Sequence, residues 1–197
     1  MTNPGLPPSL AVVFQVIDIL EDLGVRYHLG GSFASAIHGV PRQTMDADLV
    51  VDLSPRTVSK LVDRLHGDFY VDLDVARDAV ARHGSFNAIH LASGFKIDFF
   101  AKGAGEYDEV ELERSVATRI SIDPPRSARV KTAEDTVLRK LQWFRDGGEV
   151  SERQWRDVLG VLATVGDDLN VDYLQRWAAK LGVSDLLKRA TAEVRDN

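Results

Sequence analysis

Residues 29–53 read LGGSFASAIHGVPRQTMDADLVVDL, and this stretch decides how the rest of the chain is read. It has three physical parts. A Gly30-Gly31-Ser32 turn leads into a short helix of small residues, Phe33 to His38, closed by Gly39. Two aspartates, Asp46 and Asp48, then open a hydrophobic strand. Side chains alternate along a strand, so Asp46 and Asp48 share one face while Ala47, Leu49, Val51 and Leu53 share the other. The apolar set can be buried while the two carboxylates converge. Like charges that close repel unless a cation lies between them, and a divalent ion is the usual solution. Magnesium suits this best, because it binds through a few hard oxygens and leaves other positions to water and phosphate. Manganese is the alternative ion.

The turn fits the same chemistry. Val25 to Leu29 reads as a strand that delivers the glycines. Glycine lets the backbone approach a ligand closely, and the N–H groups of a helix N-terminus attract phosphate oxygens. A phosphate cradle followed by paired carboxylates is the layout for phosphoryl or nucleotidyl transfer.

Thirteen residues separate Ser32 from Asp46. Gly-Gly-Ser, this spacer and Asp-x-Asp together resemble the signature of the nucleotidyltransferase fold shared with DNA polymerase beta. The longer pattern of Gly30, Gly31, Ser32, Ala34, Arg42, Thr44, Asp46 and Asp48 resembles the AbiE-type (AbiEii-like) bacterial toxin nucleotidyltransferases. The resemblance implies an α+β fold, a small mixed sheet flanked by helices and followed by a C-terminal helical bundle. It also implies nucleotide contacts from Gly30, Gly31, Ser32, Arg42 and Thr44, with a two-ion metal site on Asp46 and Asp48.

Bulk properties bound the reading. A length of 197 residues suits one domain, or one with a helical appendage. There is no cysteine, which excludes disulfides and thiolate metal sites and suits a reducing cytoplasm. No apolar run reaches membrane length, so a soluble cytoplasmic protein is expected, with no membrane partner. The net charge of −6 argues against a general nucleic-acid coat but leaves local contact with an RNA end open.

Taken in order, Leu10 to Leu23 carries Val13, Ile17 and Leu20 on a helical period, closed by Gly24. Ser54-Pro55 starts a second amphipathic helix with Val58, Leu61, Val62 and Leu65 inward, ended by Gly67. Phe69 to Val71 is a short strand, and Asp74 to Arg82 a helix with Val75, Ala79 and Val80 inward. Phe86 to Leu91 and Phe95 to Phe100, separated by Ala92-Ser93-Gly94, form a hairpin. On its second arm Asp98 sits between Ile97 and Phe99, a costly place for a carboxylate unless paired or metal-bound. By the resemblance, Asp98 is the third metal-site carboxylate and helps position or deprotonate the acceptor nucleophile.

Glu106 to Val116 reads as an acidic helix, and Arg119 to Ile122 and Ala128 to Val130 as short strands about Pro124-Pro125. That proline pair is the expected boundary between a core at residues 1–125 and a helical region at 126–197. Beyond Thr132, which pairs with Asp135 as a cap, the pattern is helical. The inward stripes are Val137, Leu141 and Phe144, then Trp155, Val158 and Leu162, then Leu174, Trp177, Ala178 and Leu181. Leu186 to Val194 forms the last helix.

Lys140 and Asp157 flank two of these stripes. Their segments, 134–141 and 156–161, resemble segments of the AbiE-type toxins and their relatives, although a second acid found in some relatives is Gly160 here. The resemblance implies a phosphate contact for Lys140 and an active-site role for Asp157; a surface position or an interhelical salt bridge is the plain alternative. The five histidines show no metal spacing, the tryptophans fall on apolar faces, and no Walker motif or nucleophile elbow is present.

The expected activity is transfer of an NMP from an NTP to an acceptor hydroxyl, with pyrophosphate released. Asp46, Asp48, Asp98, Lys140 and Asp157 are its catalytic candidates. The acceptor is an RNA end (of a tRNA, for instance), a protein or a small molecule, and an antitoxin-like protein is an expected partner. Rival readings are an antibiotic-modifying nucleotidyltransferase, a nucleotide- or partner-binding module without turnover, and an interaction protein using its helical C-terminus.

Overall fold

Alternating burial in the strands and one-sided burial in the helices build this molecule, a computed structural model that describes residues 6–40 and 46–196. The chain runs α1 (Pro8–Asp22), β1 (Tyr27–Leu29), α2 (Gly31–His38), β2 (Asp46–Val51), α3 (Pro55–Leu65) and β3 (Phe69–Tyr70). Next come α4 (Leu73–Ala81), β4 (Ser85–His90), β5 (Lys96–Ala101), α5 (Glu106–Arg114), β6 (Val116–Ile122) and β7 (Pro125–Val130). Helices α6 (Ala133–Asp146), α7 (Glu152–Val165), α8 (Val171–Lys180) and α9 (Ser184–Arg195) complete it. The expected mixed α/β architecture is what forms.

The chain divides into two compact units: residues 1–30 with 44–130, and residues 31–43 with 131–197. The first unit holds a seven-stranded sheet in the order β3-β4-β5-β2-β1-β7-β6. Strands β2 and β5 are parallel, as are β1 and β7, and the other neighbours are antiparallel. Ala47, Leu49 and Val51 of β2 and Ile97, Phe99 and Ala101 of β5 are buried, while the residues between them are only partly covered. Phe86 and Phe99 stack across β4 and β5 with ring centroids 4.8 Å apart. Helix α3 begins where Ser54 accepts the Thr57 amide at 3.1 Å, then turns Val58, Leu61 and Leu65 into the core. In α4 Ala79 and Val80 are buried as expected, joined by Ala76, whereas Val75, expected inside, is exposed.

Pro124-Pro125, the expected boundary, falls in the β6–β7 hairpin, whose second strand pairs with β1 through Leu29 and Val130. Helix α5 stops at Arg114, because Arg129 of β7 donates to the Ser115 hydroxyl at 2.9 Å and ties residue 115 to the sheet. Strand β6 therefore begins at Val116, three residues before the expected start.

The second unit is helical. Helix α2 packs on α6 and α7, α6 on α7 and α8, and α9 on α7 and α8. Thr132, Ser151 and Asn170 accept the amides of Asp135, Gln154 and Tyr173, so α6, α7 and α8 each start on a side-chain cap. Trp155 and Trp177 are buried as expected, whereas Trp143 is half-exposed beneath the Lys131 ammonium, 5.7 Å from its ring centre. Among the described residues no helix is long and apolar enough to cross a membrane.

Candidate functional site

The two aspartates of β2 are placed by its pleat. Their neighbours Ala47 and Leu49 are fully buried, so Asp46 and Asp48 stand on the opposite, half-covered face. The parallel register sets Asp46 opposite Lys96 and Asp48 opposite Asp98, and Asn87 of β4 lies opposite Asp98 on its other side. Three carboxylates and one lysine thus share one face within two rungs of the sheet. The Gly30 amide donates to the Asp48 carbonyl at 2.9 Å, extending the β1–β2 ladder to the glycine turn.

The lysine was not among the residues expected here. Its Nζ lies 2.7 Å from Oδ2 of Asp98, with the Lys96 side chain 40% exposed and that of Asp98 19%. Lys96 holds its proton more tightly than a free lysine. The hydrogen bond to Asp98 is the main cause, and partial burial opposes it. The fields of Asp98, Asp46 and Asp48 add to it.

Among the described residues no three His, Cys, Asp or Glu side chains are gathered as a ready-made metal cage. The expected convergence of Asp46, Asp48 and Asp98 on one point is therefore not how these side chains stand, since Asp98 turns to Lys96. The donor set still fits a hard divalent ion by chemistry: three carboxylates on adjacent strands, in register, on a face water reaches.

Gly31, Ser32, Lys140 and Asp157 lie in the helical unit. Gly31 opens α2 at φ 50°, a left-handed conformation that glycine adopts without strain. One turn on, the Ser35 hydroxyl donates to the Gly31 carbonyl at 2.8 Å. Ser32 is buried, and its hydroxyl accepts from Nη2 of Arg153 at 2.7 Å. Arg153 is thus a second basic residue the sequence did not single out. With Arg156, Asp157, Ser35, Val40 and Gly160 it lines a cleft of about 490 Å³. Gly39 explains the tight approach of α2 to α7: a Cβ there would lie 2.9 Å from the Ser35 carbonyl and 3.0 Å from the Val161 amide nitrogen. His38 is structural, donating from Nε2 to the Lys131 carbonyl at 2.7 Å.

Lys140 and Asp157 do come together. Nζ of Lys140 is 2.8 Å from Oδ2 of Asp157, joining α6 to α7, and the two side chains are only 7% and 12% exposed. Arg42 and Thr44 lie outside the described residues.

A mixed sheet of this order, with an Asp-x-Asp strand beside a third aspartate, is the nucleotidyltransferase fold. Solved structures that share it at low sequence identity include the following two. The antibiotic-resistance factor ANT(2'')-Ia, solved in complex with adenylyl-2''-tobramycin, is 13% identical with a TM-score of 0.56, covering 89% of this chain and 97% of its own. An antigenic nucleotidyltransferase-like protein from Paracoccidioides brasiliensis is 16% identical with a TM-score of 0.55, covering 93% of this chain and 92% of its own. No protein-family model and no curated protein matches the sequence.

Proposed function

We propose that the protein is a metal-dependent nucleotidyltransferase that moves an NMP from an NTP to an acceptor hydroxyl. The observation that carries this is the β2–β5 register, which sets Asp48 directly beside Asp98 with Asp46 one rung away on the same face. A binding module has no need of three carboxylates so placed.

Asp46 and Asp48 would hold the ions, with Asp98 as third ligand. Bound there, a Mg2+ pair supplies charge stabilisation to the attacking and leaving oxygens at the α-phosphorus. Asp98 would accept the proton of the acceptor hydroxyl. Ser32 and Arg153 would bind phosphate oxygens, the guanidinium offering several donors of which Ser32 takes one. Asp157 holds Lys140 in place, and the lysine would offset charge on the departing pyrophosphate.

The acceptor has two candidate classes. The AbiE-type resemblance supports an RNA end or a protein, and with it the role of a toxin held by an antitoxin-like partner. The likeness to ANT(2'')-Ia across 97% of that chain supports a small cationic acceptor of the aminoglycoside kind. Incubation with each of four α-labelled NTPs, Mg2+ and total RNA, total protein or tobramycin decides among them. Label is expected in one pool and absent from the Asp46→Ala/Asp48→Ala variant. Label that persists in that variant, or none in any pool, contradicts the proposal.

A further inference from the structure

We propose that Lys96 is a built-in competitor for the divalent ion: its ammonium neutralises the acidic face, and a metal ion enters by displacing it. This rests on reading Asp46, Asp48 and Asp98 as the metal ligands. The register puts Lys96 directly opposite Asp46 and two residues before Asp98, so its side chain shares their face. Its Nζ sits 2.7 Å from Oδ2 of Asp98. An ammonium there donates hydrogen bonds into lone pairs that a hard cation would use, and the two cations repel across one carboxylate.

Mobility decides which group yields. Asp98 has a short side chain on an inner strand, hydrogen-bonded on both sides by β2 and β4. Lys96 has four rotatable bonds and a side chain 40% exposed, so it can carry its charge out into water at little cost. The lysine therefore serves two ends. It offsets part of the mutual repulsion of three aligned carboxylates. It also weakens metal binding, because each ion taken up must first break the Lys96–Asp98 pair.

The test uses the full chain without nucleotide. Mn2+ binding, followed by the electron-paramagnetic signal of the free ion, is compared between the parent and Lys96→Met, which keeps the stem and removes the charge. Binding at least ten-fold tighter in the variant is expected. Charge removal alone would also tighten binding, so a second reading follows the lysine itself. In 15N-labelled parent protein the Lys96 Nζ resonance, assigned by its loss in Lys96→Arg, is expected to move to the position of a solvated lysine during a Mg2+ titration. Its midpoint should match that of Mg2+ binding.

A Lys96 resonance unmoved at metal saturation, or equal Mn2+ affinity in the two proteins, overturns the displacement while leaving the metal site standing. If neither protein binds Mn2+, the metal-site reading fails and this proposal falls with it.

Discussion

Two Lys–Asp pairs in this protein have the same chemistry and nearly the same length, 2.7 Å for Lys96–Asp98 and 2.8 Å for Lys140–Asp157. Their surroundings differ. The first lies on a sheet face with the lysine side chain 40% exposed; the second joins two helices with both side chains at 12% or less. Water screens the first pair and can take over its lysine, so the partners are exchangeable. The second lost most of its water when the helices packed, so breaking it costs more than breaking the first. The sheet thus carries an exchangeable pair, and the helical unit a pair fixed in place.

The largest expected effect breaks the buried pair. Lys140→Met should cost about 3–5 kcal/mol in urea unfolding, because it removes the ammonium that meets the Asp157 carboxylate where little water reaches. Adding Asp157→Leu should recover most of that loss. A single variant as stable as the parent would mean that the pair is better hydrated than its burial implies.

Next is the seam between α2 and α7. Gly39→Ala places a methyl group against two backbone atoms, at 2.9 and 3.0 Å, and neither can move without shifting a helix. A loss of about 1–3 kcal/mol is expected in the same assay. A neutral result would show that α2 can slide on α7 and that the Ser32–Arg153 contact is not rigidly set.

Arg153→Met should weaken binding of an NTP by roughly ten-fold, the loss of one charge-assisted hydrogen bond to phosphate, with little change in melting temperature. Isothermal titration checks this. Unchanged affinity removes Arg153 from the nucleotide contacts.

The smallest effect sharpens the contrast from the other side. Lys96→Met should change stability by no more than about 1 kcal/mol, as for an exposed pair. A cost equal to that of Lys140→Met would erase the distinction between the two pairs.

Much of the fold was legible because it is local. The alternation in Asp46–Val51, the hairpin around Ser93-Gly94 and the stripe Val58, Leu61, Leu65 each depend on residues a few positions apart, and each forms as expected. The candidate site was half legible for the same reason. Asp46 and Asp48 are two residues apart, so the pleat alone puts them together. The role of Lys96 depends on the register between β2 and a parallel strand 50 residues later, which no periodicity encodes. Arg153 reaches Ser32 across 121 residues of sequence, so only helix packing could reveal it. The membership of α2 in the helical unit is equally non-local: a short helix of small residues reads as a turn element, and its partner is chosen by the close approach at Gly39. Val75 and Ala76 show the limit even for local reading, since in a nine-residue helix a shift of one position changes which side chain is buried.

The central claim is that the sheet carboxylates bring a divalent ion to the reacting phosphorus. The most direct measurement compares transfer from the two stereoisomers of an NTP α-phosphorothioate, in Mg2+ and in Mn2+, into the pool that takes up label. Sulfur is a poor ligand for Mg2+ and a better one for the softer Mn2+. One isomer should transfer slowly with Mg2+ and recover with Mn2+. Equal rates for both isomers in both metals would contradict it.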